Sequence, residues 1–540
     1  MSSMLHPGVY VREVSSGVRV VEGVPTSTTI FVGETERGPL APVKIKGIAD
    51  YERVFGGYLR ATATGTTRVT MRYAVGAFFA NGGTSAYVLR AMPQAGSSVA
   101  RRTFSAIVPA TNSAFVAATP GVWANGHLSV VLTAASNNDS EHARVLVFYR
   151  DLRRPADRRV LVEDFDRLRI GGDRAENDVA QVLARSSFIR WDPGTTPPAN
   201  LGVLRDVTTQ VRPSDLTGTQ IDGGAMASAT GGASSATATQ LNTILRNLDG
   251  IDDASLVVFA PDLWANTQGA DPGGTTFTDL HGEVLGYVIN RPKLDLFYVA
   301  DLPARNAAAS VTAATTATAN DVSSATTSDF MGWYWPHLVV GDPVGEGRAP
   351  TLKLPPAGAV AGLYARTDRL RGVWKAPAGV DATVTSISGV QHELLDTHQD
   401  DLNPLGVNVI RTIPGAGIVS WGARTTRPAS EWRYVPVRRT AMFLRKSIFN
   451  GIQWAVFEPN NHDLWRALRV TIGAFMETQY RNGAFAGATS KEAYFVKCDA
   501  ETTTEIDQAN GVVNIMVGFA PLRPAEFVVV TLSQMTKLAS

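Results

Sequence analysis

Four short apolar runs, each next to a helix-like segment, constrain the fold more than any other feature of the sequence. They lie at residues 28–32, 85–91, 255–261 and 294–300. A strand that is buried on both faces reads as a continuous apolar run, and strands that alternate with helices form parallel sheets. The sequence therefore predicts an α/β fold with a parallel central sheet.

The character of the chain changes over residues 96–165, where short β-like runs are separated by Gly, Asn and Pro. This pattern is typical of a small, mainly-β insert. A helical period returns at residues 173–188, which indicates that the α/β fold resumes there. Residues 217–240 and 305–329 consist mainly of Ala, Thr and Ser. We predict mobile surface loops in both, because they bury too little to offset their ordering entropy.

The last hundred residues predict two long amphipathic helices followed by strands. The helices are expected at residues 437–454 and 462–481, with Asn461 as the N-cap of the second. A chain of 540 residues is long enough for two to four domains. We expect these divisions: a terminal arm at 1–20, an α/β domain at 21–95, a mainly-β insert at 96–165, the α/β domain again at 166–425, and a C-terminal domain at 426–540.

Charge and cysteine content exclude several classes of function. The chain has 50 Lys and Arg against 49 Asp and Glu, a net charge of +1. Proteins that bind nucleic acid usually show a basic excess, so we expect no nucleic acid partner. Cys498 is the single cysteine, so the chain has no internal disulfide or cysteine-based zinc site, and we predict that Cys498 is a small buried hydrophobe. We expect neither membrane insertion nor Sec export, because no long uncharged apolar run or signal-peptide pattern occurs.

The motifs of common catalytic and cofactor sites are missing or incomplete. The sequence has no Gly-Lys dipeptide for a phosphate-binding loop and no serine in a G-x-S-x-G elbow. His392-Glu393 begins like a zinc-protease helix, but Asp396 stands where the second histidine is required. Gly415-Ala416-Gly417 lacks the third glycine of a dinucleotide motif, because Ser420 occupies its position, so a turn before a strand is favoured. We expect no catalytic residue, cofactor or metal.

Tryptophan and arginine crowd into the C-terminal part of the chain. Each tryptophan alone is best explained by core packing, but the group has the composition of a protein–protein interface. The residues are Trp374, Trp421, Trp432, Trp454 and Trp465, with Arg371, Arg424, Arg433 and Arg438.

Both ends of the chain have the β-propensity of strands. A strand at a chain end leaves backbone N–H and C=O groups in need of a partner. Such a strand either pairs within its own chain or is donated to a neighbouring subunit, where backbone hydrogen bonds supply the affinity. Residues 15–17 and 522–524 are candidate hinges for the second alternative.

Segments spread along the chain resemble tail sheath proteins of contractile phages and phage-like injection particles. The resemblance extends from residue 6 to residue 534 and is weak or absent over residues 95–355. It is carried by HPGVYVREVSSGVRVVEGVPTSTTIFVGETERGP, ADYERVFGG, GAVAGLYARTDRLRGVWKAPAG, LNPLGVNVIR, GIVSWGARTT, RRTAMFLRKSIFNGIQWAVFEPNNHDLW, KCDAETTT and PLRPAEFVVVTLSQ.

This resemblance implies a conserved α/β domain, built from N- and C-terminal portions, that faces an inner tube, and a variable outward insert. It implies a polymer of stacked hexameric rings that contracts and drives the tube through a target cell envelope. The terminal arms would complete the sheet of a neighbour. On this chain they are Gly8, Val9, Tyr10, Val11, Arg12, Glu13 and Val14, and Glu526, Phe527, Val528, Val529, Val530, Thr531 and Leu532.

The partners that the resemblance implies are other copies of the chain, an inner tube protein, baseplate and terminal cap proteins, and sister sheath proteins. Assembly would take place in the bacterial cytoplasm, as part of a virion tail or of a released tail-like particle. No cofactor is required, because two packings of the same subunits can differ in free energy. Two alternatives remain: a baseplate or tube component, and a hydrolase with an unrecognised site that uses His281, His337 or His392.

Overall fold

The computed structural model describes the chain in thirteen stretches. They are residues 20–58, 69–91, 101–103, 114–119, 122–124, 127–149, 160–171, 177–195, 197–201, 241–260, 275–306, 308–345 and 348–527. The chain divides into two compact units, here called the α/β unit (Pro25–Arg439 and Pro524–Ser540) and the C-terminal unit (Met1–Val24 and Thr440–Arg523). Each unit is described by itself.

The described residues form strands and helices throughout. The strands are β1 (Thr29–Gly33), β2 (Val43–Ile45), β3 (Ala86–Arg90), β4 (Arg101–Thr103), β5 (Ala114–Ala117), β6 (Leu128–Ala134), β7 (Ala143–Tyr149), β8 (Val160–Leu168), β9 (Ile189–Asp192), β10 (Leu256–Ala260), β11 (Phe297–Asp301), β12 (Met331–Trp335), β13 (Leu338–Gly341), β14 (Thr351–Leu354), β15 (Gly389–Val390), β16 (Val407–Ile413), β17 (Gly417–Ser420), β18 (Tyr494–Lys497) and β19 (Met516–Phe519). The helices are α1 (Ile48–Phe55), α2 (Met71–Ala80), α3 (Val179–Leu183), α4 (Thr275–Asn290), α5 (Val311–Ser324), α6 (Ala357–Arg371), α7 (Asp396–Leu402), α8 (Val435–Gly451), α9 (His462–Arg481), α10 (Ser490–Ala493) and α11 (Glu505–Ala509).

An eight-stranded sheet forms the centre of the α/β unit. Its strand order is β17-β16-β12-β11-β10-β1-β3-β2. The pairs from β16 through to β3 are parallel, and only the outer strands β17 and β2 run antiparallel. Every residue of β1, β10, β11 and β12 is buried. The predicted parallel α/β sheet is therefore confirmed, and the continuous apolar runs are its inner strands.

Two helices lie unusually close together against this sheet. A Cβ atom added to Gly358 at the start of α6 would lie 2.5 Å from the carbonyl oxygen of Ala74 in α2, and one added to Gly362 would meet the carbonyl of Phe78. Only glycine allows backbones to approach so closely, because any side chain would fill the gap. The glycines thus fix the distance between α6 and α2.

The mainly-β insert is present, but it extends beyond the predicted boundary at residue 165. Strands β4, β5 and β9 form one sheet, and β6, β7 and β8 form another. β9 pairs with β5, and α3 contributes Val179 and Leu183 to a core that also contains Leu201. The expectation that the α/β fold resumes at residues 173–188 is therefore wrong, because the helical period there belongs to α3, a short helix of the insert.

The predicted mobile loop at 305–329 is also wrong, since most of it is helix α5. The side chain of Ser310 caps the helix by accepting a hydrogen bond from the Ala313 N–H. Ala is the best helix former, and the small side chains of Ala314 and Thr318 are buried. Arg305 adds an ion pair to Asp321. Composition alone therefore failed to separate a small-residue helix from a loop, while residues 217–240 lie outside the described part.

The C-terminal unit contains α9 and the two-stranded sheet of β18 and β19. α9 has the predicted bounds, and the Asn461 side chain caps it by accepting from the N–H groups of Asp463 and Leu464. α8 is two residues earlier at its start than predicted and runs across the unit boundary. Among the described residues, no helix has the combination of length and hydropathy that crossing a membrane would require.

Candidate assembly surfaces and chain anchors

The antiparallel pair of β18 and β19 has an inner face that rests on α9. Tyr494 and Phe519 are paired on this face, and the Phe485 ring lies 5.6 Å from that of Phe519. The Tyr494 hydroxyl donates to the Glu477 carboxylate of α9 at 3.0 Å. Burial is the main cause that raises the pKa of Tyr494, so this hydroxyl remains a donor at neutral pH. One face of the sheet is thus packed within its own unit.

The opposite face of this small sheet is partly open to solvent and includes Lys497, which pairs with Glu501. It carries Phe495, which is 52% exposed, and Met516, which is 55% exposed. Gly518 lies directly opposite Phe495, and the aromatic ring covers the space where a Cβ of Gly518 would be. Exposed aromatic and methionine side chains of this kind are typical of interface cores.

The edges of the sheet are largely without a neighbouring strand. In the described stretches of the chain, β18 and β19 form a ladder only with each other, and just beyond β19 Phe485 forms an isolated antiparallel bridge with Pro521. A strand with one partner presents half of its backbone N–H and C=O groups outward, which is a template for a further strand. This sheet can therefore accept extended segments at its edges.

The structure describes only two of the predicted arm residues, Glu526 and Phe527. Neither lies in a strand, and the Phe527 side chain is largely exposed. The other C-terminal arm residues, 528–532, and the whole N-terminal arm, 8–14, lie outside the described residues. Pairing by either arm therefore stays a prediction.

Arg424 holds Glu526 with two parallel hydrogen bonds. Nε of Arg424 donates to Oε1 at 2.9 Å, and Nη2 donates to Oε2 at 2.6 Å. The Tyr434 hydroxyl donates to the same Oε2 at 3.2 Å. The two charged side chains are only 13% and 18% exposed. The hydrogen bond that Arg424 donates to Glu526 is the main cause that raises the pKa of Arg424, and such forked, charge-assisted pairs are among the stronger polar contacts in proteins.

The guanidinium of Arg424 is itself fixed to the central sheet. Its Nη1 donates to the carbonyl of Asn403 at 2.9 Å. The buried Asn408 side chain on β16 accepts from the Arg424 N–H at 2.7 Å and donates to the Arg424 carbonyl at 2.8 Å. Asn408 also donates to the carbonyl of Trp333 in β12. Glu526 is thus connected through Arg424 to strands β16 and β12 of the central sheet.

A second anchor lies at Asp368 near the end of α6. Arg439 donates from Nη1 to Oδ1 at 3.0 Å and from Nη2 to Oδ2 at 2.6 Å. The Thr26 hydroxyl donates to Oδ2 at 2.7 Å, and the Arg439 guanidinium lies over the Tyr364 ring. Arg439 and Asp368 are 3% and 4% exposed, so this pair is fully buried.

The two anchors are placed where the chain passes between units. These passages occur after Val24, after Arg439 and after Arg523. Asp368 holds Thr26 and Arg439, and Arg424 holds Glu526. Each passage is therefore attached to the α/β unit within three residues of the boundary.

The residues weighed for chemistry have structural contacts. The segment that contains His392 is not helical. The His392 ring stacks on Trp335, and its Nε2 donates to the carbonyl of Ala304. In the stretches that the structure covers, no group of three His, Cys, Asp or Glu could hold a metal ion. Cys498 is buried as predicted, and burial raises the pKa of its thiol. Gly415 has a positive φ in the turn before β17, and so does Gly417, the first residue of that strand, which confirms the predicted turn.

Two models of the same family match the chain in sequence. The phage tail sheath protein central domain matches residues 261–426, and the phage tail sheath C-terminal domain matches residues 427–534. Together they span just over half of the chain. The chain belongs to the phage tail sheath family. It is accordingly a structural protein and not an enzyme.

Among curated proteins, this sheath protein is similar to the tail sheath protein of Vibrio phage KVP40. The two are 30% identical over 125 residues, which is 23% of this chain and 19% of the relative. The chain spans only about a fifth of the length of the curated relatives that it matches.

Solved structures confirm the fold over nearly the whole sheath protein. It matches a chain of the anti-feeding prophage baseplate with a TM-score of 0.56 and 21% identity, covering 99% of this chain and 100% of that one. It matches the PVC sheath complex in the contracted state with the same TM-score and identity, covering 99% of both chains.

Sequence reasoning missed both anchors. Arg424 was noticed only as part of an arginine-rich group with an interface-like composition, and nothing in the spacing connects it to Glu526, 102 residues later. Asp368 and Arg439 are separated by 71 residues. Contacts over such distances leave no local pattern in a single sequence.

Proposed function

We propose that this chain is the subunit of a contractile tail sheath. It polymerises as stacked hexameric rings around an inner tube and contracts to drive the tube through a target cell envelope. The proposal is supported by the two sheath family models and by the fold of a related sheath whose structure is described as contracted. A related baseplate described as six-fold symmetrised supports the hexameric ring.

The observation that carries the proposal is the incomplete sheet of the C-terminal unit. Among the described residues, β18 and β19 form a ladder only with each other, and their outer face exposes Phe495 and Met516 beside Lys497. The arms at residues 8–14 and 526–532 are the proposed donors, because they have strand propensity. Strands exchanged in this way would join subunits without preventing rotation of their bodies.

Contraction of such a polymer requires no catalytic group. A sheath can do work if its subunits have two packings that differ by a few kcal/mol each, because many subunits change together. A net charge of +1 also suits a dense lattice, since a large charge repeated in every subunit would cause strong repulsion.

The proposed partners are other copies of the chain, an inner tube protein, and baseplate and terminal cap proteins, with sister sheath proteins where a particle has several. Assembly would occur in the bacterial cytoplasm, and the product would be a phage tail or a released tail-like particle. A second candidate is a subunit at the baseplate end of the same machine, because one matched structure is a baseplate assembly.

The test compares the full chain with a variant that ends at Phe527. We expect rings or striated tubes of the full chain in negative-stain electron microscopy, and a folded, unassembled variant in sedimentation. A control variant that ends at Met535 keeps the proposed arm and should assemble. Normal tubes from the variant that ends at Phe527 would contradict a role for the arm, and a full chain that stays monomeric with its partners present would contradict the sheath function.

A further inference from the structure

We propose that Arg424 is a positioning residue for the C-terminal arm. By holding Glu526, it fixes the base of the arm, and so determines whether the arm meets a neighbouring subunit in the correct register. This inference rests on the proposed sheath function for its consequence, but the holding of Glu526 can be tested on the isolated chain.

The contact between Arg424 and Glu526 lies at the base of the arm. The chain re-enters the α/β unit at Pro524, and Glu526 is the third residue after the boundary. Phe527 is the last described residue and is exposed. The anchor is therefore placed at the first residue of the predicted arm and is followed by the other six arm residues.

Strand pairing requires that the arm be placed precisely against its acceptor strand. Neighbouring strands lie about 4.8 Å apart, and a shift of one residue, about 3.3 Å, turns every side chain to the opposite face. The five arm residues after Phe527 reach at most about 18 Å when fully extended. A displacement of the arm root by a few Å would therefore place the arm on the wrong strand or in the wrong register.

The contact of Arg424 with Glu526 has a defined geometry. Nε and Nη2 of Arg424 bind Glu526, and Nη1 binds the Asn403 carbonyl, so three of its nitrogens are used in one plane. Lysine carries a charge but cannot form this fork. Tyr434 adds a third donor to the carboxylate. Such a contact fixes direction as well as distance.

A fixed root also lowers the entropic cost of assembly. An arm that starts from a defined point samples a smaller volume, so its effective concentration at the acceptor is higher. Ordering that is already present in the free subunit need not be supplied on binding. Loss of the anchor should therefore weaken assembly even though the arm sequence is unchanged.

The experiment measures the mobility of the arm root and the assembly of the same variants. A nitroxide label at Phe527→Cys, in a Cys498→Ala background, reports on the root in the full-length, unassembled chain. We expect the nitroxide to have low rotational mobility in the parent, high mobility in Glu526→Gln and Arg424→Gln, and intermediate mobility in Arg424→Lys. Arg411→Gln is the matched control, because Arg411 is similarly buried but pairs with Asp396 on α7.

Unlabelled variants are then compared by sedimentation. We expect the concentration needed for assembly to rise about tenfold or more in Arg424→Gln and Glu526→Gln, less in Arg424→Lys, and not in Arg411→Gln. Urea midpoints establish that each variant is folded. If Arg424→Gln does not fold, Tyr434→Phe provides a second test, since it removes one donor to the Glu526 carboxylate and keeps the ion pair with Arg424.

The outcomes separate this inference from the proposed function. An equally slow label in Glu526→Gln and in its parent would overturn the anchor, as would unchanged assembly in a variant with a mobile label. If the parent chain never assembles, the sheath function is contradicted. If the label nevertheless becomes mobile in Glu526→Gln, the contact of Arg424 with Glu526 is still established as the anchor of the arm root.

Discussion

The α/β unit and the C-terminal unit differ in where they place their apolar side chains. The inner strands of the eight-stranded sheet are buried on both faces. The C-terminal unit is about a fifth of the chain, yet it has ten of the twenty exposed large apolar side chains of the described residues. They are Val20, Phe449, Val456, Phe457, Val470, Phe495, Ile506, Val512, Met516 and Leu522.

This difference indicates that the C-terminal unit offers more apolar surface for contact with other subunits than the α/β unit does. The inner strands of the eight-stranded sheet have a partner on each side. A two-stranded sheet is marginal in water by itself, and β18 and β19 are packed on one face only, while Phe495 and Met516 on the other face are exposed. We therefore expect mutations in the α/β unit to lower stability, and mutations on the open face of the C-terminal unit to affect assembly.

The largest effect on stability is expected for Asp368→Asn. The change leaves the Arg439 guanidinium buried without a counter-charge. Breaking a buried ion pair in this way should lower the free energy of unfolding by about 3 kcal/mol or more. Urea unfolding of the full chain measures it.

Asp381→Asn is the matched control for that change. Asp381 pairs with Arg371, also at the end of α6, but both side chains are exposed and 4.0 Å apart. The control should change stability by less than about 0.5 kcal/mol. Equal effects of the two substitutions would show that the Asp368 anchor is not special.

The next effect is expected for Gly358→Ala. The added Cβ would lie 2.5 Å from the carbonyl oxygen of Ala74, so α6 and α2 must move apart. Overpacking of this kind costs about 1 to 3 kcal/mol. Gly282→Ala in α4 meets no atom within 4 Å and should be neutral or slightly stabilising. A neutral Gly358→Ala would mean that the two helices are not in close contact.

Acid should destabilise the α/β unit through two buried histidines. Burial lowers the pKa of His281 to about 3 and that of His337 to about 4. The unfolded chain protonates both near pH 6.5. Their stabilisation is therefore complete above pH 6.5 and is lost as the pH falls towards 4, by up to about 1.4 kcal/mol per pH unit for each histidine.

The measurement is the urea midpoint between pH 7 and pH 4.5. His281→Gln should make the urea midpoint depend less steeply on pH, because the chain then takes up one proton fewer on unfolding. Hydrogen exchange followed by mass spectrometry should show α/β unit peptides opening first. A parent whose stability is independent of pH over this range would contradict the assignment of both rings as neutral.

The smallest effect on folding is expected for Phe495→Ser on the open face. The side chain is already half exposed, so the free energy of unfolding should change by about 1 kcal/mol or less. Assembly, by contrast, should be lost or strongly weakened in sedimentation. Leu370→Ser changes an exposed residue of the α/β unit and should assemble better than Phe495→Ser. The reverse order would remove the distinction between the two units.

Local sequence patterns predicted the regular elements well. The bounds of α9 and its Asn461 cap were predicted, and β1, β10 and β11 lie within the predicted apolar runs or a residue or two beyond them. These elements are encoded by neighbouring residues, through apolar periodicity and a capping side chain.

Features that depend on distant residues were not predictable. The predicted insert ended too early, because β9 pairs with β5, more than seventy residues earlier in the chain. α5 was missed because Ala and Thr suit both a loop and a helix whose small side chains pack. The arms were identified by resemblance, but the attachment of Glu526 to Arg424 depends on tertiary structure alone.

The central claim is that the sheet of the C-terminal unit is completed by other subunits. The most direct test is cryo-electron microscopy of the assembled polymer, with the chain traced through both arms. We predict strands from neighbouring subunits hydrogen-bonded to the edges of β18 and β19. A polymer in which this sheet keeps only two strands, with both arms folded onto their own chain, would contradict the account.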